Sequence, residues 1–507
     1  MSKVFEKLQP FLDKAYAYRT ALTLISFDNS TTAPKEAIEF TSKAIGILSL
    51  ESYNTLINPE VKTILEELSA KEVQAELTVN EKAIVKDLKK TFRDLEVIPP
   101  EEYQAYQMLL AKSDHVWEEA KNTNNYELFA PVLEEIISYN KKFAGYKQKE
   151  GQKLYDVILN DYEEGFTMEI LDDFFGKLRE SLVAVVHAVK EKADINALAC
   201  LRKNYDIEVQ KKLSHFMAEY IGFDFNRGVM AETAHPYTTN LHNHDVRITN
   251  HYQANKLEDA IFSIVHEGGH GLYEMGISDE LTLTPIGGGT SMGMHESQSR
   301  FYENNLARSR EFWIPVFDKV KEFFPEELEG VSVDEFYKAI NFASPSLIRT
   351  EADELTYSFH VMIRYEIEKM IFAGEIEVKD LPAIWNQKYE EYLGVTPSND
   401  AEGVLQDIHW AGGMFGYFPS YALGSAIAAQ LFHHMESIMP MKQYLEEGNL
   451  APIREYLREH IHQYGGAKKT QQILMDTTGE GFNPDYYIAY LTEKFTKLYV
   501  LVEKTLI

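Results

Sequence analysis

Apolar residues recur at helical spacing along most of this chain, and that periodicity limits the possible folds more than any other feature. Ile84, Leu88 and Phe92 illustrate it, since residues four apart lie on one face of an α-helix. The same spacing predicts helices over residues 1–26, 34–53, 60–70, 80–95, 99–121, 126–148, 168–192 and 310–395, and from 422 to the end. No strands alternate with them, which disfavours a parallel α/β sheet. The sequence therefore predicts an almost all-α fold of packed antiparallel helices.

Turn and capping residues set two of the predicted helix boundaries. The Phe-Asp-Asn-Ser segment at 27–30 interrupts the first helical pattern, and Pro34 suits the start of the next helix. Thr167 belongs to a residue type that caps helix N-termini. We therefore expect its side chain to cap the helix that begins at Met168.

Residues 231–255 differ from the rest, being rich in Thr, Tyr, His and Asn. Val246 and Ile248 alternate with polar neighbours at a period of two, which predicts a short β-hairpin turning near 242–244. An irregular surface loop is the alternative. We find no internal repeat and no clear linker, so we predict one helical domain over 1–507, with the motif-bearing part at about 231–425.

The segment His266-Glu267-Gly268-Gly269-His270 has the form H-E-x-x-H. On a helix, His266 and His270 share one face and can hold a single metal ion, while Glu267 can take a proton from a water that the metal activates. The apolar stripe lies nearly opposite the histidines and comprises Leu257, Ile261, Ile264, Val265 and Leu272. Gly268 and Gly269 weaken a helix by about 1 kcal/mol each. The alternative is an amphipathic helix with two solvated histidines.

Glu296 lies 26 residues beyond His270, on a helix predicted to begin near Ser291. Zinc hydrolases commonly use two histidines and one carboxylate, so Glu296 is our third ligand. His295 competes for that role, but adjacent helical residues point about 100° apart. The glycines at 287–289 lack the Lys-Ser/Thr continuation of a phosphate loop, so we interpret them as a flexible connection.

Charge and cysteine usage restrict the partners and the compartment. The chain of 507 residues has 50 basic and 79 acidic residues, a formal net charge of −29, which disfavours nucleic acid and anionic membranes as partners. Cys200 is the single cysteine, as expected in a reducing compartment. The N-terminus has no secretory pattern, and no stretch has the apolar length of a membrane span. We expect a cytoplasmic protein.

Six short motifs, taken together, closely resemble the carboxypeptidase Taq family of metallocarboxypeptidases. In chain order they are HPY at 235–237, DVRIT at 245–249, HEGGH at 266–270, HESQSR at 295–300, IRTEADE at 348–354 and GVLQDIHW at 403–410. The likeness covers the second half by motif and the first half by its helical character. Tyr237 stands where the family has Phe, and Ser26-Phe27-Asp28 stands where it often has Ser-Trp-Asp.

The resemblance implies a neurolysin-like helical shell around a deep central groove, with the small sheet beside the active site. It implies one divalent metal ion per chain, usually zinc or cobalt, and commonly a homodimer; the predicted ligands would also accept manganese. The implied reaction is removal of single residues from peptides that have a free C-terminal carboxylate. The end of the last motif and the segment after it resemble the part of related metallopeptidases that supplies a His and a Tyr to the oxyanion, which gives His409, Tyr417 and Tyr421 as candidates.

An exopeptidase must bind the terminal carboxylate, and the planar fork of arginine suits that task. Arg349 and Arg247 lie in family-like motifs and are our candidates, with His235 of the HPY motif beside them as a substrate-binding residue. The alternative for each arginine is a structural ion pair with a nearby acid such as Glu351 or Asp245. Asp259 and Glu351 are both candidates for orienting a ligand histidine.

Two other functions are open at this point. One is a metal-dependent oligopeptidase or dipeptidyl carboxypeptidase in a similar helical shell. The other is a non-catalytic helical protein that binds peptide or metal. An amidated peptide separates the first from a carboxypeptidase, and the change Glu267→Gln separates the second from any enzyme.

Overall fold

A computed structural model of the chain describes residues 3–501, and most of them are helical. The helices before the sheet are α1 (Lys3–Glu6), α2 (Gln9–Thr31), α3 (Ile38–Leu56), α4 (Pro59–Glu67), α5 (Lys71–Glu76), α6 (Val79–Glu96), α7 (Pro100–Asn122), α8 (Tyr126–Lys147), α9 (Leu154–Tyr162), α10 (Met168–Lys192) and α11 (Ile207–Ile221). Those after it are α12 (Leu257–Gly276), α13 (Met292–Arg300), α14 (Arg310–Trp313), α15 (Phe317–Phe323), α16 (Val333–Ile340), α17 (Tyr357–Ala373), α18 (Leu381–Leu393), α19 (Pro419–Ile438), α20 (Met441–Glu446), α21 (Ala451–His460), α22 (Thr470–Thr478) and α23 (Asp485–Leu498). The predicted helical fold class is confirmed.

A three-stranded sheet precedes α12. Its strands are β1 (Gly228–Glu232), β2 (Thr238–His242) and β3 (Asp245–Asn250), in the order β1-β3-β2. β2 and β3 form the predicted antiparallel hairpin. β1 was not predicted, and it runs parallel to β3. Val246 and Ile248 of β3 are fully buried.

The first predicted helix differs from its prediction at two places. The interruption predicted at 27–30 is wrong, because α2 continues to Thr31. Phe27 is buried there, and the hydroxyls of Ser30 and Thr31 donate to its carbonyl oxygen, so these polar side chains bond within the helix. The first predicted helix is instead divided after Glu6, and Pro10 lies in the first turn of α2.

The prediction that the side chain of Thr167 caps α10 is also wrong. Thr167 occupies the N-cap position in an extended conformation, but its side chain makes no capping hydrogen bond. The backbone N–H of Met168 donates instead to Oδ1 of Asp156, over 2.7 Å. The cap is therefore supplied by α9 rather than by the local sequence.

Two clusters of buried apolar residues hold these elements. The larger one includes side chains from Tyr106 in α7 to Leu501, and α12 lies within it. The smaller one joins α1, α4 and α6 to Ile277, Leu281 and Ile286, just beyond α12. That the whole of 1–507 forms one domain around a deep groove stays a prediction. None of the helices within residues 3–501 combines the length and the apolar character of a membrane span.

Candidate metal centre

Helix α12 presents the two histidines of HEGGH on its less buried side. The predicted apolar stripe is in the core, with Ile261, Ile264 and Val265 fully buried. His266 and His270 are half-buried, and their ring centres are 4.9 Å apart. The helix therefore has the core face and the open face that its sequence predicts.

Two glycines let the neighbouring helices close around Glu296. A Cβ on Gly269 of α12 would lie 2.7 Å from the carbonyl oxygen of Gln298 and 2.7 Å from Cα of Ser299, both in α13. A Cβ on Gly424 of α19 would lie 2.5 Å from Cβ of Glu296. Such distances are well inside van der Waals contact. Gly269 weakens the helix by its intrinsic propensity, but the close packing of α12 on α13 requires a glycine at this position.

This packing brings the three predicted ligands together. Oε2 of Glu296 is 3.5 Å from Nε2 of His266 and 3.4 Å from Nε2 of His270. One ligand atom from each of the three residues lies within 4.8 Å of the others. Two imidazole nitrogens and one carboxylate oxygen are the donor set of catalytic zinc sites, so the residues present fit a divalent ion.

Glu303, a carboxylate to which no sequence motif points, contacts His266. Its Oε2 is 2.8 Å from Nδ1 of His266 and accepts from Arg300 over 3.1 Å. Burial alone would raise the pKa of Glu303, but the charge of Arg300 and the bond with His266 lower it to about 2. Residues 301–307 form a π-helix, so α-helical spacing from Glu296 does not identify the position.

His295, the competing third ligand, lies on the other side of His270. The two Nδ1 atoms are 2.6 Å apart, and Nε2 of His295 is 2.7 Å from Oε1 of Glu274. Neither acid proposed for orienting a histidine is there: Asp259 accepts from Gln253, and Glu351 is exposed.

Glu267 is buried between α12 and β2. Its Oε2 accepts a hydrogen bond from the hydroxyl of Thr238 over 2.6 Å. Burial raises the pKa of Glu267 despite the nearby His266, which lowers it. A carboxylate that is more basic than usual and follows the first ligand directly is suited to accept a proton.

His409, Tyr417 and Tyr421 form one aromatic group near Glu296. Nε2 of His409 is 3.2 Å from the hydroxyl of Tyr421, and the two tyrosine rings are 5.3 Å apart. Burial raises the pKa of both tyrosines, and the charge of Glu296 raises each further. Burial, followed by the charge of Arg349, lowers the pKa of His409 to about 4, so its ring is neutral at pH 7. The group therefore holds two tyrosine hydroxyls within electrostatic reach of the predicted ligand Glu296.

A family model for the carboxypeptidase Taq (M32) metallopeptidases matches residues 7–495. The chain belongs to this family. Carboxypeptidase 1 of Bacillus subtilis is 42% identical to it over 485 residues, which are 96% of each chain. The solved M32 carboxypeptidase of Deinococcus radiodurans is 31% identical, with a TM-score of 0.94, over 98% of this chain and 100% of its own. A solved Pyrococcus furiosus carboxypeptidase is 33% identical, with a TM-score of 0.93, over 98% and 99%.

These likenesses cover at least 96% of this chain and of each relative. The protein is therefore a metal-dependent carboxypeptidase, a hydrolase of peptide bonds.

In this M32 carboxypeptidase, Arg349 lies in a buried ion pair. Its Nε and one terminal nitrogen donate to Oδ1 of Asp407 over 3.1 and 2.8 Å, and the other donates to the hydroxyl of Tyr357 over 3.2 Å. Arg364 binds the second oxygen of Asp407. The partner is thus Asp407, 58 residues away, rather than Glu351. Asp407 lies in the GVLQDIHW motif, but nothing in the local sequence pairs it with Arg349, and Arg364 lies in none of the six motifs.

Arg247 pairs with Asp245, as expected if its role is a structural ion pair. Asp245 accepts from its Nε and one terminal nitrogen over 2.9 and 3.0 Å. The guanidinium also lies 5.0 Å from the ring centre of Phe27 in α2. His235 lies in the bend between β1 and β2 with an exposed side chain. Arg247 therefore lies in the central strand of the sheet, and His235 lies in the connection between its two outer strands.

Proposed function

We propose that this carboxypeptidase removes one residue at a time from peptides with a free C-terminal carboxylate. We further propose that one divalent ion, zinc, is held by His266, His270 and Glu296; cobalt and manganese suit the same ligands. The observation that carries the proposal is the convergence of these three ligand atoms within 4.8 Å, next to the buried carboxylate of Glu267.

When bound, the ion lowers the pKa of a water molecule toward neutrality and polarises the scissile carbonyl. Glu267 takes the proton of the attacking water and passes it to the leaving amine. The hydroxyl of Thr238 holds Glu267 by one oxygen, which leaves the other free for this transfer. Tyr417, Tyr421 and His409 supply donors to the developing oxyanion.

For the substrate carboxylate we propose Arg349 ahead of Arg247. Arg349 lies 4.9 Å from the ring centre of Tyr421, within the aromatic group near Glu296. Arg247 is opposite Thr239 in the register of β2 and β3, while Thr238, which binds Glu267, is opposite Ile248. Because neighbouring residues of a strand alternate between faces, Arg247 lies on the sheet face away from Glu267.

Arg247 and the exposed His235 are accordingly proposed for contacts with more distant parts of the peptide. The substitution Arg349→Gln should raise KM more than it lowers kcat, because it removes a group that binds substrate and transition state alike.

The test is a pair of synthetic peptides that differ only at the C-terminus, one free and one amidated, followed by mass spectrometry with and without a chelator. Stepwise loss of single residues from the free peptide only, stopped by the chelator, supports the proposal. Equal cleavage of the amidated peptide favours an oligopeptidase, and release in pairs favours a dipeptidyl carboxypeptidase. Absence of cleavage of the free peptide with metal present would contradict the proposal.

Two further parts of the proposal concern the whole molecule. We propose a homodimer, which light scattering coupled to size-exclusion chromatography tests directly. We also propose a cytoplasmic location, because Cys200 is the single cysteine and its thiol is free, as in a reducing compartment.

A further inference from the structure

We propose that His295 and Glu274 form a positioning relay that fixes the tautomer and the orientation of the ligand His270. The inference rests on the metal site proposed above. The observation that supports it is a continuous line of short contacts from His270 through His295 to Glu274. Nδ1 of His270 is 2.6 Å from Nδ1 of His295, and Nε2 of His295 is 2.7 Å from Oε1 of Glu274.

When Glu274 is ionised and His295 is neutral, the hydrogen bonds along this line have only one consistent order. A carboxylate accepts and cannot donate, so Nε2 of His295 donates to Glu274. A neutral His295 then has a bare Nδ1, which accepts from the Nδ1–H of His270. The Nε2 of His270 is left without a proton, 3.4 Å from Oε2 of Glu296. That bare nitrogen is what a metal ion requires.

The surroundings hold Glu274 and His295 in this arrangement. Glu274 is buried, and it also accepts from the backbone N–H of Gly289 over 3.0 Å and from the side-chain amide of Asn240 in β2. The ring of His295 packs against Tyr273, with centres 5.1 Å apart. A Cβ on Gly289 would lie 2.5 Å from Cδ2 of His295, so the imidazole fits because that residue is glycine.

This arrangement changes the interpretation of the glycine segment 287–289. From sequence alone, these glycines predict a flexible connection. Gly289 instead contributes a backbone donor to Glu274 and the space for His295, while a Cβ on Gly287 would lie 2.5 Å from the carbonyl oxygen of Thr282. The segment is a packed part of the metal centre.

The relay also makes the two ligand histidines unequal. His266 contacts the charged carboxylate of Glu303 directly, over 2.8 Å. The Nδ1 of His270 reaches a carboxylate, that of Glu274, through the ring of His295. Partners of this kind set the orientation and basicity of a ligand histidine, and their loss commonly weakens metal binding 10- to 100-fold.

Two substitutions test the relay on the full chain. In the Glu274→Gln variant, the new side-chain amide N–H can donate to Nε2 of His295. The hydrogen bonds can then run in the opposite direction, which leaves the proton of His270 on its Nε2. His295→Phe keeps a ring of similar volume and removes both nitrogens. We expect each to weaken Zn²⁺ binding about 10- to 100-fold in competition with a chromophoric chelator. Each should also shift the visible absorption spectrum of the Co²⁺ form, which reports on the ligand field.

His462→Phe is the matched control. Its ring is also buried and packs on Tyr273, with centres 5.0 Å apart, but its Nε2 bonds to Gln298 rather than to His270. We expect its Zn²⁺ affinity and Co²⁺ spectrum to equal those of the wild type. A general packing effect would change all three variants alike and would overturn the relay.

The remaining outcomes separate the relay from the metal site. His270→Ala should abolish specific Zn²⁺ binding, and full binding by that variant would overturn the proposed site itself. Loss of binding in His270→Ala with wild-type affinity in both Glu274→Gln and His295→Phe would overturn the relay alone. If His295→Phe fails to fold, Glu274→Gln decides, since it preserves the shape of the side chain.

Discussion

Replacing Gly269 by alanine tests whether close packing of α12 on α13 positions Glu296. The new Cβ would meet two backbone atoms of α13 at 2.7 Å, and neither can rotate away. Ordinary contact begins at 3.4 Å, so the helices must separate by about 0.7 Å.

Two effects on stability oppose each other. Overpacking of this kind costs about 1–3 kcal/mol. Alanine in place of glycine inside a helix gains about 1 kcal/mol. The net loss in the free energy of unfolding is therefore roughly 0–2 kcal/mol, and the variant should fold.

The effect on activity should be larger, because the shift acts on a ligand-bearing helix. A displacement near 1 Å in a catalytic group can cost about 100-fold in rate. We predict that Gly269→Ala lowers kcat/KM at least about 10-fold and weakens Zn²⁺ binding. Steady-state kinetics, chelator competition and chemical denaturation measure the three quantities on one preparation.

Gly176→Ala in α10 is the control, because nothing lies within 4 Å of its added Cβ. We expect it to gain about 0.5–1 kcal/mol of stability with unchanged activity. Wild-type kcat/KM and metal affinity in Gly269→Ala would refute the reasoning, since Glu296 would then not depend on this contact.

Three further predictions address catalysis, stability and pH. Glu267→Gln should abolish turnover in the peptide assay, since the amide cannot accept the water proton; residual wild-type rates would remove Glu267 from this role. Asp407→Ala should cost about 3–5 kcal/mol of unfolding free energy, because it leaves the buried Arg349 and Arg364 unpaired, and a loss under 1 kcal/mol in chemical denaturation would contradict this. Burial raises the pKa of Glu368 to about 7, so the stability that its neutral form contributes is present at pH 4 and is lost as the pH rises to 7. Glu368→Gln should therefore gain up to roughly 3 kcal/mol relative to wild type between pH 4 and pH 7 in denaturant titrations, and a constant difference would argue against the shift.

The sequence predicted those parts of the fold that local periodicity encodes. The apolar stripe of α12 gave both the helix and its open face, and residues four apart on one helix had to share that face. The hairpin of β2 and β3 followed from its period of two. The strand β1 has no such signal, because its parallel partner β3 lies across a connection that includes β2.

The site could likewise be predicted only where a local sequence pattern marks its residues. The ligands lie in recurring motifs, whereas Glu303 lies in a π-helix that changes the α-helical register. Asp407, the partner of Arg349, is set by tertiary packing across 58 residues. Gly269 counted against a helix on intrinsic propensity, and its reason is the backbone of α13, which no local pattern reveals.

The most direct test of the central claim is the zinc content of purified variants, measured by mass spectrometry of the metal after dialysis. The wild type and Glu267→Gln should each retain one ion per chain, because Glu267 acts on the water rather than on the ion. His266→Ala, His270→Ala and Glu296→Ala should each lose it. Full occupancy in all three of these variants would contradict the proposed metal centre.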